Sequence, residues 1–224
     1  MNKADYIRKV YEGIKSHKKP YYYKIKKINL TIFPNVFSPA YFTDSQWFAE
    51  TLSTIVGKKK LLEIGTGTGI VALFCALNGA KVIATDINQK AVENAKVNFK
   101  RYNVKVRTLR SNIYDSLKDE KFDFIFWNHP FNKGTNPNEE VLLKAGFDYK
   151  YQSLEKYIKG AKKHLNPNGK LLLGTGEPAD LKGIKKLALK YSYELILIKK
   201  TKRVLSKIGK VKDEYKIYHL KLIK

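Results

Sequence analysis

The chain has 224 residues, 44 of them Lys or Arg against 20 Asp or Glu, for a formal net charge of +24. That length fits one sizeable domain, and 43% apolar with 12% aromatic residues supply a core, which excludes wholesale disorder. The longest apolar run, Ile70–Leu77, is too short for a membrane span, Met1–Val10 lacks a signal-like apolar stretch, and a single Cys excludes a disulfide framework or multi-cysteine zinc site, so a cytoplasmic protein is expected.

In chain order, Asp5–Ser16 could form a short helix, and Tyr21–Phe33 alternates at a period of two, as a strand or hairpin arm would. Pro34 and Pro39 break the chain before a helix near Ser45–Val56. From Lys60 onward, strands and helices alternate. Strands are predicted at Lys60–Ile64, Lys81–Thr85, Val104–Leu109 and Phe122–Trp127. Between the first two lies an apolar helix closed by Gly79, and Asn88 reads as the N-cap of a helix running to about Tyr102. Leu154–Leu165 reads as a helix, Asn166–Gly169 as a turn, and Lys170–Leu173 as a strand. A helix at Leu181–Lys190 and strands at Tyr193–Ile198 and Glu214–Leu222 complete the chain. This alternation implies a parallel sheet covered on both faces.

The positive charge is uneven. Residues 1–30 carry nine Lys or Arg against two acids, and residues 181–224 carry fourteen against three. The residues between them carry 21 against 15, so most of the excess lies in two flanks. Such flanks attract polyanions, with nucleic acid or the ribosome the first candidate. Lys outnumbers Arg 39 to 5, which fits compositional drift as an alternative source of the Lys. Drift does not account for the shortage of acids.

The sharpest feature is Leu61–Ile70, LLEIGTGTGI. Gly65, Gly67 and Gly69 follow a strand and open a helix, where glycines permit a tight turn and close approach of a ligand to backbone N–H groups. The spacing is G-x-G-x-G; the dinucleotide fingerprint would put its third glycine at Ile70. Glu63 is a polar choice inside a buried strand end, and Asp86 closes the next strand.

This block resembles the first motif of class I S-adenosylmethionine-dependent methyltransferases. The resemblance implies that Gly65, Thr66, Gly67 and Gly69 wrap the amino-acid end of the cofactor while Glu63 orients the loop. It further implies that Asp86 accepts from the ribose hydroxyls, that Ile87 lies against the adenine and that Asn112 meets the adenine amino group. After the strand Phe122–Trp127, Asn128-His129-Pro130-Phe131 resembles the N-P-P-Y/F motif of enzymes that methylate exocyclic amino or amide nitrogens. In that motif the Asn oxygen and the next backbone carbonyl accept the hydrogens of a planar NH2 group, and the aromatic ring stacks on the acceptor. His129 stands where the motif has its first proline; its carbonyl survives the change, and it precedes Pro130, which restricts it to extended backbone.

Ile28–Leu52 is similar to the lead-in segment of the small-domain methyltransferases, which include ribosomal RNA guanine-N2 and release-factor glutamine enzymes. Phe37, Phe42 and Thr43 are expected near the cofactor. Too few residues precede Ile28 for the helical recognition domain of the glutamine enzymes. The implied fold is a doubly wound, mainly parallel seven-stranded α/β sheet with an antiparallel last strand. Residues 1–55 would form a basic extension and lead-in, and residues 56–224 the cofactor domain. The expected activity is N-methylation of RNA. Methylation of a protein glutamine or small molecule, a non-catalytic cofactor-binding module and a nicotinamide dehydrogenase remain as alternatives. His17, His164 and His219 lack metal-ligand spacing, and no metal is expected.

Overall fold

The computed structural model describes residues 3–223 except Thr135, Pro137, Glu139 and 205–211. It opens with α1 (Lys3–Ser16), the hairpin β1 (Tyr21–Ile25) and β2 (Ile28–Ile32), and α2 (Asp44–Val56). Then come β3 (Lys60–Ile64), α3 (Ile70–Leu77), β4 (Lys81–Asp86), α4 (Gln89–Arg101), β5 (Val106–Arg110) and β6 (Phe122–Asn128). Two short strands, β7 (Asn132–Gly134) and β8 (Phe147–Tyr149), flank a 3₁₀ turn at Leu143–Ala145. The chain continues with α5 (Gln152–His164), β9 (Leu165–Gly176), α6 (Leu181–Lys190), β10 (Tyr193–Val204) and β11 (Lys212–Leu222). No helix among the described residues is long and apolar enough to cross a membrane.

Seven strands form one sheet in the order β10-β11-β9-β6-β3-β4-β5. Only β11 runs against its neighbours, lying between β9 and β10. This is the doubly wound α/β sheet expected from the sequence. Its apolar strands follow from burial on both faces. Side chains alternate along β3, so Leu61 joins the core layer with Phe48, Leu52 and Leu73, while Leu62 and Ile64 join Leu154, Ile158 and Ile184. Glu63 shares its face with Leu61, towards α3.

The first layer also takes in Val10, Ile14, Ile25, Leu30 and Ile32 from the N-terminal segment. Tyr21–Phe33 is thus a hairpin, and it is fastened to α4 by two buried asparagines one helical turn apart. Asn98 Oδ1 accepts from the Thr31 N–H at 2.8 Å, and its amide donates to the carbonyls of Thr31 at 2.9 Å and Thr68 at 2.8 Å. Asn94 accepts from the Phe33 N–H and donates to the Thr31 carbonyl. These bonds satisfy backbone groups that no strand partners on that side, and through Thr68 they tie the hairpin to the glycine loop.

One expectation needs correcting. Asn166–Gly169 does not precede the strand as a turn but lies inside β9. Phe122 pairs with Leu165 and Phe124 with Lys170, so the extra residues bulge within the ladder. Asn168 takes φ 65°, and a Cβ at Gly169 would meet the Phe122 carbonyl oxygen at 2.8 Å. The turn-forming residues therefore serve a bulge.

Candidate active site

The strand order reverses at β3, since β4 lies on one side of it and β6 on the other. Open α/β sheets bind ligands outside the carboxyl ends of their strands at such a switch point. A cavity of about 350 Å³ opens there, lined by the glycine loop, the ends of β4 and β6, the start of α2 and the segment around β8.

The glycine loop meets its backbone demands directly. Gly65, Gly67 and Gly69 have φ of 66°, 55° and 82°, all in the left-handed region. A Cβ at Gly67 would meet nothing closer than the Phe37 carbonyl oxygen at 3.9 Å, which leaves open space against the backbone. Gly69 has a different task. It does not line the cavity, and a Cβ there would meet Phe99 Cζ at 2.8 Å, so its bareness lets α3 approach α4. Glu63 is buried and braces the turn: its Oε2 accepts from Thr66 Oγ1 at 2.6 Å and from the Ala72 N–H at 3.0 Å. Burial pushes its carboxyl up to about 8, against the pull of those two bonds. Asp86 Oδ2 accepts from the Gly67 N–H and Oδ1 from the Asn88 N–H, each at 2.9 Å. Burial raises the Asp86 carboxyl, and these N–H groups hold it down. Ile87 (45% exposed) and Asn112 line the same end of the cavity.

The opposite wall is assembled from distant segments. Asn128 ends β6, where it pairs with Gly174 of β9, and lines the cavity. Its Nδ2 donates to Asp44 Oδ2 at 2.8 Å, and its buried Oδ1 has no partner among the described residues. The His129 ring is sealed among Trp127, Phe131 and Tyr151, with Nε2 3.0 Å from Thr175 Oγ1. Burial lowers its pKa to about 3, so the imidazole stays neutral and is a poor base. Phe131 lines the cavity and packs on Gly176, where a Cβ would meet its ring at 2.5 Å, and beside Tyr215. Pro130 also lines it. Phe42 does so with Phe37, the two rings stacked at 4.8 Å. Thr43 does not; it sits at the N-cap position of α2 without a side-chain capping bond, its Oγ1 3.5 Å from the Tyr215 hydroxyl.

Asp44, Tyr11 and Tyr215, none of them named from the sequence, also line the cavity. Burial raises both tyrosines, and the Asp44 carboxylate raises them further, which sets the two phenols near it. A carboxylate opening a helix, beside Thr43 and ahead of a buried face, was the one available signal. It reads equally well as a helix-dipole partner.

These residues fit S-adenosylmethionine. The open backbone at Gly67 can take a close ligand, and the strand-end carboxylate of Asp86 retains acceptor capacity beyond its two N–H bonds. The apolar Ile87 flanks that carboxylate, as a nucleoside needs.

Comparison with known proteins agrees. Residues 27–203 match the methyltransferase small domain. A bifunctional methyltransferase of Rickettsia prowazekii is 34% identical over 148 residues, 60% of this chain and 28% of that protein. A candidate protein N5-glutamine methyltransferase of Methanocaldococcus jannaschii is 37% identical over 128 residues, 56% of this chain and 62% of that protein. A ribosomal RNA small subunit methyltransferase C of Hamiltonella defensa is 26% identical over 153 residues, 67% and 42% of the two chains. The aligned part of the chain thus spans under two thirds of each of these relatives. A solved methyltransferase of Pyrococcus furiosus superposes over 99% of both chains, with TM-score 0.64 and 24% identity, and shares the fold. The chain belongs to the methyltransferase small domain family, within the class I S-adenosylmethionine-dependent methyltransferases.

Proposed function

We propose that the protein is an N-methyltransferase acting on a planar amino group of RNA. The observation that carries this reading is the Asn128 amide: its nitrogen is engaged by Asp44, while its buried oxygen has no partner among the described residues. A buried acceptor without a donor is costly unless a ligand supplies one. An NH2 group offers two N–H donors in one plane. Asn128 Oδ1 takes one and the His129 backbone carbonyl the other, and Phe131 lies against the flat acceptor. S-adenosylmethionine, when bound, supplies an activated methyl group, so the chain's contribution is alignment. Gly65, Thr66 and Gly67 hold its amino-acid end, Glu63 braces that turn, Asp86 accepts from its ribose, and Ile87 and Asn112 face its adenine. Thr43 and Gly69 support the walls from behind.

The basic flanks favour RNA. The β10–β11 hairpin runs past the last β9 pair, Tyr215 with Gly176, at the edge of the sheet where the cavity opens. It carries exposed Lys199, Lys200, Lys202 and Lys212. Glu50 of α2 joins the two flanks, with Lys26 Nζ at 3.1 Å and Arg203 at 3.9 Å. A protein glutamine is the second reading, favoured by the Methanocaldococcus relative, because an amide NH2 has the same planar donors. Methyl-labelled cofactor offered separately with ribosomal RNA, transfer RNA and release factors tests both. Label in an RNA base amine is the expected result; label only in protein would overturn the RNA reading.

A further inference from the structure

The two ends of an asparagine amide are nearly the same size, so rotation about its last side-chain bond exchanges an acceptor for a donor. Asn128 binds an NH2 group only with its oxygen turned to the site. Across 84 residues of sequence, Asp44 Oδ2 lies 2.8 Å from Asn128 Nδ2. The reversed amide would set two acceptors at that distance. We propose that Asp44 is the positioning residue that locks the Asn128 amide, so that Oδ1 and never the NH2 end is offered to the incoming group. The site is thereby specific for a hydrogen-bond donor, an amino group, over an acceptor such as a ring nitrogen or carbonyl. This rests on the reading of Asn128 given above.

Asp44 is built for such a task. It is 4% exposed and opens α2, whose Trp47, Phe48, Ala49 and Leu52 are all buried in the core, so its backbone is fixed. The helix N-terminus favours the ionised, acceptor-only form. The Ser45 hydroxyl, 3.4 Å from Oδ1, adds a donor on the other oxygen. Burial raises the Asp44 carboxyl, and the Asn128 and Ser45 donors oppose that shift. The neighbouring Tyr11 and Tyr215 stay neutral phenols and bring no counter-charge. Leaving a carboxylate so buried, with no cation paired to it among the described residues, is expensive for folding. An orientation that the reaction depends on would offset that cost.

The test uses the full chain labelled with ¹⁵N-asparagine. The Asn128 side-chain signal is assigned by its loss in Asn128→Ala, and methyl transfer to ribosomal RNA and to protein acceptors is measured in parallel. In the wild type, one Asn128 amide proton should lie downfield and exchange slowly. Asp44→Leu should abolish that signature and lower turnover at saturating cofactor roughly tenfold or more. Asp44→Asn, which keeps an acceptor but permits either amide orientation, should fall in between. Cofactor affinity should stay within about twofold in both variants. A merely structural Asp44 would instead lower Tm, whereas Asp44→Asn, which removes a buried charge, should melt no lower than the wild type. An unchanged Asn128 signal, or wild-type turnover in Asp44→Leu, overturns the proposal. If wild-type protein methylates no acceptor offered, the reading of Asn128 as acceptor fails, while the amide signal still decides the role of Asp44.

Discussion

The end of the cavity that we assign to the cofactor comes largely from one continuous stretch, Glu63 through Gly67, with Asp86 and Ile87 one strand further on. The end proposed for the acceptor takes Tyr11 from α1, Asp44 from α2, Asn128–Phe131 from the end of β6 and Tyr215 from β11. The first is backbone chemistry, in which left-handed glycines shape the turn and Asp86 holds the Gly67 N–H. The second is side-chain chemistry held by tertiary packing. The same cofactor loop can thus serve many acceptors, while the acceptor wall is free to change with the substrate.

The contrast breaks most sharply at Asn128. Asn128→Ala should cut turnover by roughly 100-fold or more, as losing a group that aligns the reacting atom does. Cofactor affinity measured by calorimetry should hold; a matching loss of affinity would merge the two ends into one site. Asp86→Ala should do the reverse, raising the cofactor Kd roughly 10- to 100-fold as two charge-assisted acceptors go. Turnover at saturating cofactor should stay near the wild-type value. Unchanged affinity would remove Asp86 from the cofactor end.

Glu63 sharpens the cofactor side through pH. Its carboxyl is raised from 4.5 to about 8 on folding, so the folded state holds the proton more tightly. The stability this gives is complete below the unfolded value and is lost as pH climbs through the folded one. Glu63→Gln, which keeps an acceptor for Thr66 and Ala72, should gain on the wild type over that window. The gain should be on the order of 1–4 kcal/mol, and the curves should converge at low pH. Parallel Tm curves at every pH would contradict it. Gly69→Ala should cost about 1–3 kcal/mol through the Phe99 contact and the positive φ. Because Gly69 lies outside the cavity, the affinity of folded protein for cofactor should change little. The smallest effect belongs to the hairpin. Replacing Lys199, Lys200, Lys202 and Lys212 by Glu should flatten the salt dependence of RNA binding by roughly 0.7–0.9 per lost phosphate contact. An unchanged slope would return the lysines to compositional drift.

What the sequence made legible follows the same division. Periodicity and glycine punctuation place β3, α6 and the helix capped by Asn88, whose side chain accepts from the Lys90 N–H. The loop, Asp86 and Asn128–Phe131 are marked instead by resemblance to known motifs, which works because each is a short contiguous stretch. β7 and β8 escaped, being three residues each with no period to read. Tyr215 alternates correctly within an apolar strand and reads as core, which it also is. Only the register of β11 on β9 shows that it ends beside Phe131. Asp44 could not be distinguished from a helix-capping acid until its partner, 84 residues away, was in view.

The central claim is that the acceptor is a planar amino nitrogen held by Asn128. It is tested most directly by transferring a ¹³C-methyl group from labelled S-adenosylmethionine to ribosomal RNA, digesting the product to nucleosides and recording which atom bears the carbon. The account predicts a methyl on an exocyclic base nitrogen, made by the wild type and not by Asn128→Ala. A methyl on carbon, on a ribose oxygen or on a ring nitrogen would contradict it.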